Sequence, residues 1–290
     1  MIETKNFAVT RKGKFKLDDH PTRIDDLYAD KLDYKAKLRD LQNEINELQR
    51  MMYAHGRYSM LLIFQAMDAA GKDGTIRAVM NGVNIHGVNV NAFRKPSENE
   101  LEHDFLWRTT LRLPKRGQIG IFNRSYYEEV LIARIHPPIL KRQKLPEELT
   151  SNKKELWSGR HESIEDFEKH MWRNGTHVVK FFLHLSYDEQ RKRFLDRIDK
   201  PEKNWKFEDG DINDRKFWPQ YQEVYEETIN ATAANVAPWY IIPADDKKNM
   251  RLITAQVILE HMKMLDMSYP EVTEERRAEL KEDRKILEAD

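Results

Sequence analysis

The chain has 290 residues, long enough for one large α/β domain with an appendage or for two small domains. Its 49 basic and 49 acidic side chains cancel, which gives no global attraction to nucleic acid or membrane, and the absence of cysteine excludes disulfides, thiolate nucleophiles and Cys-based metal sites. No apolar run approaches membrane-spanning length and residues 1–16 lack the apolar core of a secretory signal, so the expectation is a soluble cytoplasmic protein without nucleic-acid or membrane partners.

Residues 1–22 read as an irregular arm. From Tyr34 onward, Leu38, Leu41, Ile45, Leu48 and Met52 step by three and four, the pattern of an amphipathic helix with a narrow apolar seam. Five candidate strands follow, at 60–65, 88–93, 118–123, 178–185 and 239–243. They are short, rich in Val, Ile and Phe, and separated by helical patterns, which predicts a parallel sheet with right-handed crossovers. Near-continuous apolar runs such as Val178-Val179-Lys180-Phe181-Phe182-Leu183 suit strands covered on both faces. Capping boxes are expected at Ser97 with Glu100, Ser125 with Glu128, and Ser186 with Glu189. Pro137-Pro138 and the polar stretch 141–157 read as a surface excursion, and the charged stretch 271–290 as a solvated helix or a subunit-contacting tail. The resulting division is an arm and helix at 1–55, a core at 56–270 that includes a lid at about 186–230, and a charged tail at 271–290.

Residues Gln65 to Thr75 carry the chemistry. Strand, tight loop and helix succeed one another there, with Gly71, Lys72, Asp73, Gly74 and Thr75 at the helix start, where N–H groups and the helix dipole favour phosphate. Lys72 would reach the transferring phosphates as a point charge. Ala66 stands where a P-loop normally has its first Gly, and Asp73 where it has a magnesium-binding Ser or Thr. Asp68 and Asp73 would repel a phosphate unless a divalent cation such as Mg2+ lay between.

A parallel sheet binds its ligands beyond the carboxyl ends of its strands. The loop, Arg94-Lys95 after the second strand and Arg124 after the third should therefore share one rim. Asn123 occupies the place of the usual metal-orienting Asp, and Glu128 or Glu129 could supply the missing charge, with an ionic cap or a surface charge as the alternative for each; Asp68, Asn123 and Glu128 are the expected metal set. Arg124 suits phosphate oxygens, with a surface salt bridge as its alternative. In segment 186–206, a helical projection puts Phe194, Leu195 and Ile198 on an apolar face and Arg193, Arg197 and Lys200 on another, with Arg191 among the apolar positions. That is the pattern of a basic lid over phosphates or of a solvated charged helix. Aromatics at 217–225 read as core, and the lone His86 and His136 near the rim as structural.

With these motifs in hand the chain resembles polyphosphate kinase family 2, over about 38–265. The residues that carry the likeness are Asp68-Ala69-Ala70-Gly71-Lys72-Asp73-Gly74-Thr75, Phe122-Asn123-Arg124-Ser125-Tyr126-Tyr127-Glu128 and Arg191-Lys192-Arg193-Phe194. Many members carry Gly at the place of Ala66 and Asp at that of Asn123; the versions here are similar to the class III subgroup, which accepts nucleoside mono- and diphosphates. The resemblance implies a P-loop kinase-like core with a helical lid and phosphoryl transfer between inorganic polyphosphate and adenine or guanine nucleotides. It also implies Mg2+ or Mn2+ as cofactor and assembly as a homodimer or homotetramer. Asp68, Lys72 and Arg124 are then the expected catalytic residues. Phosphate binding falls to Gly71, Asp73, Gly74, Thr75, Arg94, Lys95, Arg191, Arg193, Arg197 and Lys200. Two other readings share the same core: an ATP-dependent nucleoside monophosphate kinase, which would not need a cationic track past Lys200, and a non-catalytic nucleotide- or polyphosphate-binding regulator, for which Asp68 beside Lys72 has no use.

Overall fold

The computed structural model describes residues 2–207 and 209–290; Met1 of the expected arm and Glu208 of the expected lid lie outside it. Strands β1 (Ala8–Val9), β2 (Ser59–Ala66), β3 (Val88–Ala92), β4 (Ile119–Asn123), β5 (Thr176–His184) and β6 (Trp239–Pro243) form one sheet in the order β1-β6-β5-β2-β4-β3. The five strands expected from sequence are all present and mutually parallel. The arm supplies a sixth, β1, antiparallel to β6, with Ala8 opposite Tyr240. Two residues are too short a run for hydrophobic periodicity to reveal; backbone pairing to the open edge of β6 holds them.

β2 lies in the middle, with β4 and β3 on one side and β5 and β6 on the other, so the loop after β2 leaves the sheet where the strand order reverses direction. Successive β2 side chains point to opposite faces. Met60, Leu62 and Phe64 enter one core layer, while Leu61 and Ile63 enter the other. The first layer is covered by α1 (Lys31–His55), α2 (Lys72–Val79) and α7 (Lys247–Lys263). The second is covered by α3 (Lys153–Arg173) and α6 (Trp218–Thr232).

α1 begins where Asp30 accepts from the N–H groups of Leu32 and Asp33, and ends at Gly56, whose φ of 66° closes the last turn. Its seam of Leu38, Leu41, Ile45 and Met52 is buried, and Leu48 partly so, within the same core as α7. The surface excursion is shorter than its composition suggests, since α3 begins at Lys153 and buries Trp157, Ile164 and Met171. The lid segment folds as α4 (Tyr187–Asp199), a 3-10 turn (Pro201–Lys206) and α5 (Asp209–Arg215), before α6 returns to the core. α8 (Glu274–Ala289) is exposed along its whole length.

One ion pair lies wholly inside the second core layer. Lys180 of β5 donates to Glu168 of α3 at 2.6 Å, to the Tyr127 hydroxyl at 3.1 Å and to the Thr232 carbonyl at 2.8 Å. The other oxygen of Glu168 accepts from the hydroxyls of Tyr126 and Tyr127 at 2.9 and 2.8 Å. Every donor of the ammonium has an acceptor, the condition under which a buried charge is tolerated.

Candidate active site

The parallel register sets Phe64 beside Asn123 and Asn123 beside Ala92, so the residues that follow β2, β4 and β3 emerge on one rim. The loop after β2 turns on two left-handed residues, Ala69 at φ 62° and Gly71 at φ 102°, and Gly71 is the N-terminal cap of α2. An alanine tolerates this conformation at a cost of about 1–2 kcal/mol. Arg124 is left-handed as well, at φ 64°, and its N–H donates to the Phe64 carbonyl at 3.0 Å. That sharp bend throws its side chain from the end of β4 across the mouth of the loop.

The guanidinium of Arg124 joins two carboxylates. One nitrogen donates to Asp68 at 2.5 Å and another to Glu128 at 2.9 Å. Glu128 and Asp68 hold Arg124 more firmly charged than a free guanidinium, against the opposing effect of burial. Burial raises Asp68, but the cations Arg124, Lys72 and Arg197 outweigh it and hold the carboxyl below the usual range. Lys72 donates to the carbonyls of Ala66 at 3.0 Å and Met67 at 3.4 Å, which folds its stem back over the loop. Burial, with Arg124 next in weight, lowers its ammonium to about 8. Asp68, Arg124, Glu128, Asp214, Tyr221 and Tyr225 line one cleft.

The structure revises several side-chain expectations. Glu128 does not complete a capping box with Ser125; Ser125 caps Tyr127, and Glu128 is taken by Arg124. Glu189 likewise turns to Arg193, while Asp245 accepts from the Ser186 N–H. Only the Ser97 and Glu100 box of the expected three forms reciprocally. Asn123 donates its amide nitrogen to Asp73, and its carbonyl oxygen takes no part in that bond. The Thr75 hydroxyl donates to the Gly71 carbonyl at 3.0 Å and is buried, so it is engaged within its own helix.

Arg193 is buried, with its guanidinium on backbone carbonyls of the loop and of the segment after β6 rather than on an open cationic face. Leu195 and Ile198, expected on the apolar face, are about half exposed at 47% and 48%. α4 turns Gln190 and Arg193 toward the loop and buries Phe194, which leaves Leu195 and Ile198 at the surface. Arg197 comes within electrostatic reach of Asp68 and donates to the Lys206 carbonyl at 3.1 Å. Arg191, Arg94 and Lys95 are exposed, with Lys95 near enough to Asp214 to act on its charge, and Lys200 pairs with Asp196.

Sequence reasoning missed Gln190, Asp214 and the polar role of His136. Gln190 donates to the Asp68 carbonyl at 3.0 Å. His136 Nε2 lies 3.1 Å from Asp214 and 3.1 Å from the Tyr221 hydroxyl. Gln190 sits three residues before Arg193 and so shares its helix face, a spacing that could have found it. Asp214 has no such signal, since only the fold of the lid brings it to the cleft.

Asp68 and Glu128 each give one oxygen to Arg124, which leaves Asp68 Oδ2 and Glu128 Oε1 as hard oxygen donors in the same cleft. That donor chemistry fits Mg2+ or Mn2+, which take carboxylate oxygens together with phosphate oxygens and water.

Residues 28–270 match the family model for polyphosphate kinase 2. The chain is 52% identical over 286 residues to an ADP-polyphosphate phosphotransferase of Rhodopseudomonas palustris, covering 99% of each chain. It is 40% identical over 268 residues to an AMP/ADP-polyphosphate phosphotransferase of Meiothermus ruber, covering 92% of this chain and 96% of that one. The crystal structure of polyphosphate kinase 2 from Arthrobacter aurescens TC1 superposes with a TM-score of 0.84 at 34% identity, over 97% of this chain and 96% of that one. On the sheet, the loop and these matches together, the chain belongs to the polyphosphate kinase 2 family.

Proposed function

We propose that the chain transfers a phosphoryl group from inorganic polyphosphate to ADP and to AMP, in line and without a covalent enzyme intermediate. The observation that carries the site assignment is Arg124, which reaches from the end of β4 to Asp68 and Glu128 at the mouth of the loop that holds Lys72. The relatives named for ADP and for AMP and ADP support both acceptors. A terminal phosphate oxygen of the nucleotide attacks the terminal phosphorus of the polyphosphate chain. Lys72 and Arg124, with Arg197 behind them, stabilise the charge spread over the transferring group. Asp68 positions the attacking phosphate, and its carboxylate stays ionised beside three cations. Asp68, with Asn123 and Glu128, would hold Mg2+ or Mn2+, which when bound supplies the positive charge that lets a carboxylate and a phosphate share the cleft.

The phosphate track comprises the N–H groups of Gly71, Asp73 and Gly74 together with Arg94, Lys95, Arg191 and Lys200. The enzyme acts as a homodimer or homotetramer in the cytoplasm. No helix among the described residues is long and apolar enough to cross a membrane.

The test mixes purified protein, Mg2+ and polyphosphate with AMP, ADP, GMP and GDP in separate reactions and resolves the products by ion-exchange chromatography. ATP replaces polyphosphate in a parallel set. ATP formed from ADP and polyphosphate, and ADP formed from AMP, are the expected products. Transfer from ATP but not from polyphosphate would identify a nucleoside monophosphate kinase instead.

A further inference from the structure

A loop that turns its N–H groups toward a phosphate turns its carbonyls away, and those carbonyls need partners of their own. Here three successive ones are met by a single helix face. Gln190 Nε2 donates to the Asp68 carbonyl at 3.0 Å. Arg193 Nη1 donates to the Ala69 carbonyl at 3.2 Å and to the Ala70 carbonyl at 2.7 Å. The second terminal nitrogen of Arg193 reaches the opposite wall, to the carbonyls of Ala244 at 2.6 Å and Asp245 at 3.3 Å, and its Nε donates to Glu189 at 2.9 Å. One planar group thus bridges the loop after β2 to the segment after β6. Arg215 donates to Gln190 Oε1 at 2.9 Å and to the Tyr187 carbonyl at 2.8 Å, which fixes the Gln190 amide with its nitrogen toward Asp68. Gln190 and Arg193 are both buried. The residues they hold include Ala69, whose left-handed φ persists only where its surroundings impose it.

We propose that Arg193 and Gln190 are positioning residues: they do not contact polyphosphate but hold the carbonyls of Asp68, Ala69 and Ala70 outward, so that the N–H groups of the loop and the Asp68 carboxylate face the reacting phosphates. The proposal rests on the reading of this loop as the phosphate cradle. Its consequence is specific to the guanidinium. A lysine at 193 keeps the positive charge but presents a single point, which cannot span the carbonyls of Ala69 and Ala70 on one side and those of Ala244 and Asp245 on the other. A direct polyphosphate contact would keep much of its function as lysine, because the charge is retained.

The experiment compares Arg193→Lys, Arg193→Gln, Gln190→Leu and Lys72→Ala with the wild type, in steady-state kinetics with ADP and polyphosphate and in thermal melting. Arg193→Lys and Arg193→Gln are expected to lower kcat alike, by about 10²-fold, the penalty of an ångström-scale misplacement. KM for polyphosphate should stay within about threefold for both. Gln190→Leu removes the bond to the Asp68 carbonyl and the one from Arg215, which keeps the Tyr187 carbonyl, and should lower kcat by roughly tenfold, on the same reasoning, with a melting temperature near that of the wild type. It keeps the test decisive if the Arg193 variants fail to fold. Near wild-type kcat in Arg193→Lys with loss in Arg193→Gln would overturn the proposal in favour of a charge on the phosphate chain. So would a rise in KM for polyphosphate with kcat unchanged, or an unaffected kcat in Gln190→Leu. Lys72→Ala separates the two layers of argument, because full activity there would refute the cradle itself, whatever the Arg193 variants do.

Discussion

Replacing Lys180 with methionine tests how the second core layer is held. The ammonium has no exposed surface and three acceptors, Glu168, Tyr127 and Thr232, and Glu168 is its only ionic partner among the described residues. Burial lowers the pKa of Lys180 and raises that of Glu168, each shift opposed by the partner's charge. Lys180→Met leaves the carboxylate buried with two tyrosine hydroxyls and no cation. Removing one partner of such a pair costs about 3–5 kcal/mol. At roughly 2–4 °C per kcal/mol for a chain of this size, melting should fall by about 6–20 °C. Glu168 can escape part of the penalty by taking a proton. Its folded pKa, already raised, rises further without Lys180, so the folded state binds the extra proton and loses stability as the pH climbs from the ordinary carboxylate range through that raised value.

The cost of Lys180→Met should therefore grow as the pH rises above the ordinary carboxylate range. Adding Glu168→Gln removes the stranded charge and keeps an acceptor for Tyr126 and Tyr127, so the double variant should be more stable than Lys180→Met alone. Urea unfolding followed by tryptophan fluorescence reports both, since Trp239 lies 5.1 Å from the ammonium. A cost below about 1 kcal/mol, the level of an exposed pair, or a double variant less stable than the single, would refute the reasoning.

Lys72→Ala and Asp68→Ala should each lower turnover by about 10²–10³-fold, the usual loss when one electrostatic group leaves a preorganised site. Circular dichroism should be unchanged, and near-normal turnover in both would contradict the assignment. Arg124→Lys cannot bridge Asp68 and Glu128, so kcat should fall by about 10²-fold despite the retained charge; activity within a few-fold of the wild type would count against the bridge. Burial lowers His161 and His184 to about 4 and His261 to about 3, with His177 adding its repulsion at His261. The unfolded chain then binds protons first, so their contribution is complete above about pH 6.5 and declines as the pH falls toward the folded values. At about 1.4 kcal/mol per pH unit for each group, pH 5 should remove about 6 kcal/mol relative to pH 7. Urea midpoints across that range measure it, and a flat profile would mean that these imidazoles are not kept neutral.

The parallel strands and the tight turn from β2 into α2 were legible because both rest on local rules. Apolar runs such as 60–64 mark buried strands, and Gly71 between strand and helix marks the left-handed turn at which α2 starts. Convergence of Asp68, Lys72 and Arg124 followed from parallel topology alone. What sequence could not show was the partner of each charge. Arg193 and Arg197 look equivalent on a helical projection, yet one is buried against carbonyls and the other lies toward the cleft. The difference comes from packing α4 along the loop, a tertiary fact. Lys180 reads as a blemish in an apolar run until Glu168, twelve residues earlier, is seen beneath it.

The two-residue pairing of Ala8 and Val9 with β6 has a consequence for handling the protein. Without it, β6 would present an unpaired row of backbone donors and acceptors beside Trp239 and Ile241, a template on which another extended chain could add itself. The arm is fastened farther along, where Asn230 brackets Phe15 through both backbone groups and Glu226 accepts from Leu17. Replacing Ala8 and Val9 by proline, which removes the backbone donors, should therefore turn a protected sheet margin into a site for self-association, visible as light scattering that rises with concentration.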